Sequence, residues 1–147
     1  MKAYSTRLKI LLVDDSEDDI LMARTVFGQL GFPHDLETMS EAAQALDYLR
    51  CAGKFAGRKF ELPDLLLLDI NMPMMDGFSL LRALKADPAL KKIPVIMLTT
   101  SSSQSDVTRS YESGAASFIT KPSSFEDYRE LMSNFGRYWM MVSALPQ

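Results

Sequence analysis

Short apolar runs that alternate with helical segments constrain this chain more than any other feature of its sequence. Residues 10–13, 65–68 and 95–98 are apolar throughout, 117–119 is a weaker run, and 35–39 alternates polar and apolar residues. Each is too short for a helix and has turn formers beside it, which predicts a β-strand. Uninterrupted apolar runs are typical of strands that helices cover on both faces, whereas the alternation in 35–39 predicts an edge strand.

Helical periodicity fills the gaps between these strands. We expect the first helix to begin at Ser16, three residues before Asp19, and to end at Gly31. The third is expected to end at Asp87 and Pro88. The apolar residues at helical spacing are Ile20, Ala23, Phe27 and Leu30; Ala42, Ala45, Leu46 and Leu49; Phe78, Leu81 and Leu84; Val107 and Tyr111; and Phe125, Tyr128, Met132, Phe135, Trp139 and Val142.

The order of elements is therefore a strand followed by a helix, five times over. Such alternation indicates an α/β fold with a parallel sheet and helices on both faces. Right-handed crossovers favour a doubly wound (βα)5, flavodoxin-like sheet with the strand order 2-1-3-4-5.

Polar side chains follow the buried strands where each strand ends. The first run precedes Asp14 and Asp15, the third strand precedes Asp69, the fourth ends at Thr99, and the fifth precedes Lys121. In a doubly wound sheet these ends open on one crevice, where such folds bind ligands. Three carboxylates in one place repel each other, which predicts raised and coupled pKa values. Their oxygen ligands suit Mg²⁺.

Each of these residues also has an ordinary structural interpretation. We interpret Glu17, Asp18 and Asp19 as acids that complement the positive end of the first helix. Asp69 could be a turn residue and Lys121 a loop lysine. The threonines at 99 and 100, along with the serines at 101–103, could cap the next helix. Taken together they favour a site, because a structural accident gives no reason for all of them to share one edge of the sheet.

The segments LLVDDSEDD, LLLLDINMPMMDG, VIMLTT and SFITKP resemble the receiver domain of bacterial response regulators, over about residues 8–143. The resemblance implies that Asp69 is the phosphoacceptor, which attacks a phosphohistidine on a sensor histidine kinase or a phosphotransfer protein. It implies that Asp14, Asp15 and Asp69 hold Mg²⁺ together with the backbone carbonyl of Asn71.

The resemblance also implies a conformational switch. Thr99 and Lys121 would bind the phosphoryl oxygens, and Phe118 would occupy the position of the family's switch aromatic, turning inward as Thr99 moves. The peptide bond between Lys121 and Pro122 would be cis. Two departures are Thr100, where receivers usually carry alanine, and a phenylalanine at 118 rather than a tyrosine.

Weaker motifs are similar to single-domain regulators that partner bacterial phytochrome kinases. They are the TTSSS run at 99–103, the pair Ser110 and Tyr111, the loop at 52–63, and the last helix with Trp139. The resemblance implies a bacteriophytochrome as one possible kinase partner.

The sequence does not determine what two groups of apolar residues contact. Met72, Met74 and Met75 follow the acceptor and suit either gap filling in the core or an adaptable docking surface for the kinase. A second apolar strip on the last helix, formed by Leu131, Tyr138 and Met141, exceeds what a helix on a sheet needs. An exposed strip is typical of an interface, which predicts a homodimer through the fourth helix, fifth strand and last helix.

Two other functional classes compete with a receiver. A phosphohydrolase of the haloacid-dehalogenase type also uses an Asp nucleophile, Mg²⁺, Thr and Lys, but typically has a DxD motif on its first strand and a cap domain. A flavodoxin-like FMN protein would need a phosphate-binding loop where this chain has DDSEDD, which repels phosphate. Both are disfavoured by these residues.

Composition limits the remaining possibilities. The chain has 147 residues, a net charge of −3 and one cysteine, Cys51, which excludes internal disulfides and suits the cytoplasm. No apolar run approaches the ~18 residues that span a membrane, and no basic footprint indicates nucleic acid. Residues 8–143 leave too little for a separate output domain, so we expect a surface read by a downstream protein target.

Overall fold

The computed structural model describes residues 7–143 and 145. Five parallel strands form one sheet in the order β2-β1-β3-β4-β5. The strands are β1 (Leu8–Val13), β2 (His34–Met39), β3 (Leu65–Leu68), β4 (Val95–Thr99) and β5 (Ser117–Thr120). The helices are α1 (Glu17–Gly28), α2 (Ala42–Arg50), α3 (Gly77–Ala86), α4 (Gln104–Glu112) and α5 (Phe125–Arg137). The predicted fold class and strand order are confirmed.

Helices cover the sheet on both faces, and this explains the apolar runs. All four residues of β3 are buried, and successive side chains enter opposite layers. Leu66 and Leu68 pack with α2 and α3, whereas Leu65 and Leu67 pack with α1 and α5. Burial of each such side chain stabilises the fold by about 1.5–3 kcal/mol. β2 lies at an edge with alternating exposure, as predicted.

Side chains cap four of the helices at their first turns. Ser16 accepts a hydrogen bond from the backbone N–H of Asp19, and Asp76, Ser103 and Ser124 cap α3, α4 and α5 in the same way. The predicted start of α1 is confirmed. Its end differs from the prediction, because the helix stops at Gly28, before Gly31.

The last helix departs from the single regular stripe that its spacing predicts. The α-helix ends at Arg137 and continues as a π-helical turn over Tyr138–Val142. In this wider turn Met140 is buried and Trp139 only half-buried. In the second strip, Leu131 is half-buried against the core, whereas Tyr138 and Met141 are exposed. No helix within residues 7–143 is long and apolar enough to cross a membrane.

Gly77 packs so closely under the β3–α3 loop that a side chain has no room. A Cβ atom there would lie 2.2 Å from the carbonyl oxygen of Asp69 and 2.9 Å from the Cα of Ile70. Both are backbone atoms, so relief of the clash requires a shift of the chain beside Asp69. The glycine thus fixes how closely α3 approaches the end of β3.

Substitution Gly77→Ala is therefore expected to lower the free energy of unfolding by about 1–3 kcal/mol, as over-packing does. Urea unfolding followed by circular dichroism measures it. Gly28→Ala is the matched control, since nothing lies within 4 Å of its added methyl group. If both variants have the same free energy of unfolding, the close approach of Gly77 to Asp69 has no effect on stability.

Candidate functional site

The carboxyl ends of the central strands meet at one edge of the sheet, and backbone hydrogen bonds fix their register there. The N–H of Asp14 donates to Met39 O at 3.0 Å, that of Asp69 to Val13 O at 3.0 Å, and that of Lys121 to Thr99 O at 2.7 Å. Each polar residue is the first after its strand or the last within it. The sheet therefore brings Asp14, Asp69, Thr99 and Lys121 together, as predicted.

Three carboxylates form a cluster at this edge. Oxygens of Asp14, Asp15 and Asp69 all lie within 4.8 Å of one another. Asp14 and Asp69 are buried and Asp15 is exposed, so the cluster opens to solvent on one side. A set made only of oxygen donors with an open side fits a hard divalent cation such as Mg²⁺, which keeps several of its waters.

The Lys121 ammonium lies between this cluster and α1. Its Nζ donates to Asp14 Oδ2 at 2.5 Å and to Asp19 Oδ2 at 2.8 Å, and it is 3.8 Å from Asp69 Oδ2. The lysine side chain is only 7% exposed. It therefore neutralises part of the repulsion among the acids from within the pocket.

Burial and pairing shift the pKa values of this pair in ways that differ between the partners. Burial raises the pKa of Asp14, and the hydrogen bond from Lys121 offsets this only in part. Burial alone would lower the pKa of Lys121, but the bonds to Asp14 and Asp19 outweigh it and raise that pKa. Keeping Asp14 ionised therefore lowers the stability of the folded protein, and a bound cation would remove that cost.

Asp19 is a site residue that reasoning from the sequence missed. Its place in the first turn of α1 predicts a partner of the helix dipole, yet its carboxylate binds Lys121. The signal was present in the helix pattern, since Asp19 is four residues before Ala23 and shares the face that carries Ala23 and Phe27. A carboxylate on the helix face that packs on the core is expected to pair with a positive charge.

Tyr128 approaches the same pocket from α5. Its side chain is 3% exposed and packs in the core layer of α1 and α5. Burial raises the pKa of Tyr128 to about 12, with further effects from the charges of Lys121, Asp14 and Asp19. The tyrosine therefore stays neutral beside the ion pairs.

The loop from β4 to α4 is held by hydroxyl groups. Thr99 is fully buried, and its Oγ1 accepts a hydrogen bond from the N–H of Ser101 at 3.4 Å. The Ser101 hydroxyl donates to Asp106 at 2.6 Å, and the Thr120 hydroxyl donates to Ser101 O at 3.0 Å. The helix cap is Ser103, so the alternative in which Thr99 or Thr100 caps α4 is wrong.

The remaining predicted residues lie around this centre. Asn71 follows Asp69 in an exposed loop position, and Phe118 is half-buried against the core layer of α2 and α3. The expected cis bond before Pro122 is wrong, because every peptide bond in the described part of the chain is trans. Trans is the intrinsically preferred form even before proline.

The methionines after the acceptor divide between the two interpretations. Met72 is buried and Met75 packs on the core from a half-buried position, so both fill gaps. Met74 is fully exposed and has a φ of 70°, in the left-handed region that methionine rarely adopts. The turn thus presents one apolar side chain to solvent beside Asp69.

Comparisons with known proteins agree with this geometry. A family model described as the response regulator receiver domain matches residues 10–133. The chain is 37% identical to the probable methanogenesis regulatory protein FilR2 of Methanothrix harundinacea over 131 residues, which are 89% of this chain and 83% of FilR2. It is 33% identical to response regulator Rcp1 of Synechocystis over 137 residues, which are 93% of this chain and 92% of Rcp1.

Solved structures give the same result. The phosphorylated cyanobacterial phytochrome response regulator RcpA superposes with a TM-score of 0.88 and 33% identity, covering 97% of this chain and 100% of RcpA. The Mn²⁺-bound form of Rcp1 has a TM-score of 0.85 and 32% identity, covering 95% of this chain and 99% of Rcp1.

The sheet order and the acid cluster at its carboxyl edge define a receiver-type α/β domain. The chain belongs to the response regulator receiver domain family. It is a response regulator of two-component signalling, in which phosphorylation and binding of a divalent metal at the acidic pocket are general. The family that is matched differs from both the phosphohydrolase and the FMN alternatives.

A divalent cation is expected to stabilise the fold through this cluster. At a Mg²⁺ concentration 100-fold above its Kd, the gain in free energy of unfolding is about 2.7 kcal/mol. Thermal unfolding with and without Mg²⁺ measures the gain, which Asp15→Asn should largely abolish. Glu17→Gln removes an exposed acid outside the cluster and should keep it. Equal gains in all three proteins would place the cation elsewhere.

Proposed function

We propose that Asp69 accepts a phosphoryl group from the phosphohistidine of a sensor histidine kinase. The observation that carries the proposal is the position of the Lys121 Nζ, 3.8 Å from Asp69 Oδ2, beside the three-acid cluster. Asp69 Oδ1 accepts a hydrogen bond from the N–H of Ile70 at 2.9 Å, which orients the carboxylate. The other oxygen faces the ammonium and is the nucleophile.

The transfer is an in-line displacement at phosphorus. A carboxylate oxygen of Asp69 forms a bond to phosphorus while the bond from phosphorus to the histidine nitrogen breaks. The bonding electrons return to the imidazole ring. Such a reaction needs mainly positioning and neutralisation of charge. Lys121 donates hydrogen bonds to the equatorial oxygens of the phosphoryl group and so neutralises the negative charge that these oxygens bring into the pocket.

Asp14, Asp15, Asp69 and the backbone carbonyl of Asn71 are the residues that would hold Mg²⁺. When bound, the cation supplies positive charge to the phosphoryl oxygens and relieves the repulsion among the acids. The burial that raises the pKa of Asp14 supports this assignment, since a buried carboxylate is stabilised by a charge beside it.

The phosphoryl group adds nearly two negative charges and sets the switch. Thr99, whose Oγ1 accepts a hydrogen bond from the N–H of Ser101, then moves and donates its hydroxyl proton to a phosphoryl oxygen. Phe118 then turns further inward, and the surface of α4, β5 and α5 changes. The Ser101 hydroxyl donates to Asp106 on α4, and the Ser101 carbonyl accepts from the Thr120 hydroxyl on β5, so the loop is tied to both elements, which supports the coupling.

We infer that residues 8–143 act as a stand-alone regulator in the cytoplasm. The match to Rcp1 covers 92% of that protein, so little of Rcp1 lies beyond the receiver. RcpA is a phytochrome response regulator, and this supports a bacteriophytochrome as the kinase, with a phosphotransfer protein as the other possible donor. The output is a surface for a downstream protein.

Labelling with acetyl phosphate tests the proposed function. In the presence of Mg²⁺ the protein should gain one labile phosphoryl group, which mass spectrometry of the intact chain detects. Asp69→Asn should carry none, and chelation of the metal should abolish labelling. Lys121→Ala should lose the switch, read out as a loss of the phosphorylation-dependent change in fluorescence of Trp139.

Glu130→Gln, an exposed acid on α5, is the control and should label like the original protein. A label that survives in Asp69→Asn, or one that is stable to mild base, contradicts the assignment. Continuous release of phosphate from diverse phosphomonoesters would instead favour a phosphohydrolase.

We also propose a homodimer through α4, β5 and the end of α5. Tyr111 on α4 and Tyr138 after α5 are each 50% exposed, and Met141 is 58% exposed. β5 is an edge strand of the sheet. Apolar side chains beside an open edge are typical of an interface.

Sedimentation velocity with and without beryllofluoride, a phosphoryl analogue, measures the association. We expect Met141→Glu to shift the protein towards the monomer, because a carboxylate would be buried in the interface. Leu21→Glu places the same charge on an exposed position of α1 and should not. A monomer in both states at high concentration excludes the dimer.

A further inference from the structure

We propose that Asp19 is a positioning residue: it holds the Lys121 ammonium at Asp69 while a divalent cation occupies the acid cluster. The inference rests on the proposed function and adds a residue to it. It begins from the ion pair between Asp19 Oδ2 and Lys121 Nζ at 2.8 Å.

The geometry sets up a competition for Asp14. This carboxylate is the nearest partner of Lys121, at 2.5 Å, and it also belongs to the cluster of three acids that would hold the cation. A cation held by Asp14 would weaken the ion pair of Asp14 with Lys121, because two positive charges would then share one carboxylate.

Asp19 lies outside that competition. Its carboxylate is not a member of the cluster, and it approaches Lys121 from the first turn of α1. Its backbone N–H is fixed by the Ser16 hydroxyl at 3.2 Å, so the helix start holds the carboxylate in place. Lys121 therefore retains one anionic partner when Asp14 turns to the cation.

Two consequences follow for Mg²⁺ and for the phosphoryl group. Displacement of Lys121 from Asp14 costs less when Asp19 remains as a partner, so Asp19 strengthens binding of the cation. It also keeps the ammonium within reach of Asp69, because a lysine without this anchor has a long stem and several rotamers. Loss of Asp19 is thus expected to weaken cation binding and to slow phosphorylation.

The test compares Asp19→Asn with Asp18→Asn. Both remove one negative charge from the same helix turn, but Asp18 is exposed, and the ion pairs of Lys121 are with Asp14, Asp19 and Asp69. Calorimetric titration with Mg²⁺ alone should show affinity about threefold to fivefold weaker for Asp19→Asn, the scale of a partly exposed ion pair. The rate of labelling at saturating acetyl phosphate should fall by a similar factor. Asp18→Asn should match the original protein.

A double-mutant cycle separates positioning from charge. In a Lys121→Met background, Asp19→Asn should weaken Mg²⁺ binding no more than Asp18→Asn does, because the residue through which Asp19 acts is gone. An undiminished effect in that background shows that Asp19 acts by its charge alone and overturns the proposal. Tighter binding or faster labelling in Asp19→Asn also overturns it.

Failure of the proposed function and failure of the role of Asp19 give different results. If the unsubstituted protein binds Mg²⁺ but takes no phosphoryl group, the proposed function is wrong, while the calorimetric comparison still decides the role of Asp19. If it labels at Asp69 but Asp19→Asn equals Asp18→Asn in both measurements, the inference fails and the proposed function stands.

Discussion

The ion pairs of Lys121 are the interaction on which the carboxyl edge of the sheet depends. Parallel strands that are buried on both faces place Asp14 and Asp69 in a largely buried crevice, where an unpaired carboxylate costs several kcal/mol. The ammonium offsets that cost from within the protein and leaves the pocket short of positive charge. A pocket in this condition favours a bound cation.

Much of this arrangement could be predicted from the sequence because its signals are local. Four consecutive leucines before Asp69 identify a buried strand, and the doubly wound topology then brings together the residues that follow such strands. Asp19 escaped prediction because its partner is 102 residues away in the chain. The π-helical turn escaped because a 3-4 spacing of apolar residues cannot reveal where one extra residue enters a turn.

Neutral hydrogen bonds of hydroxyl groups hold the β4–α4 loop, whereas ion pairs hold the centre of the site. Thr99, Ser101 and Thr120 are linked by neutral hydrogen bonds, each worth about 0.5–1.5 kcal/mol. Bonds of this size can be exchanged without loss of the fold. The loop is therefore the part of the site best suited to have two arrangements, and it connects directly to α4.

The π-helical turn after Arg137 also has a geometric consequence for any surface at this end of the molecule. One additional residue in a helix rotates everything beyond it by about 100° around the axis. Met141, which lies within this turn, thus points in a direction that an uninterrupted α-helix would not give it. The exposed side chain of Met141 is therefore directed by a local widening of the backbone.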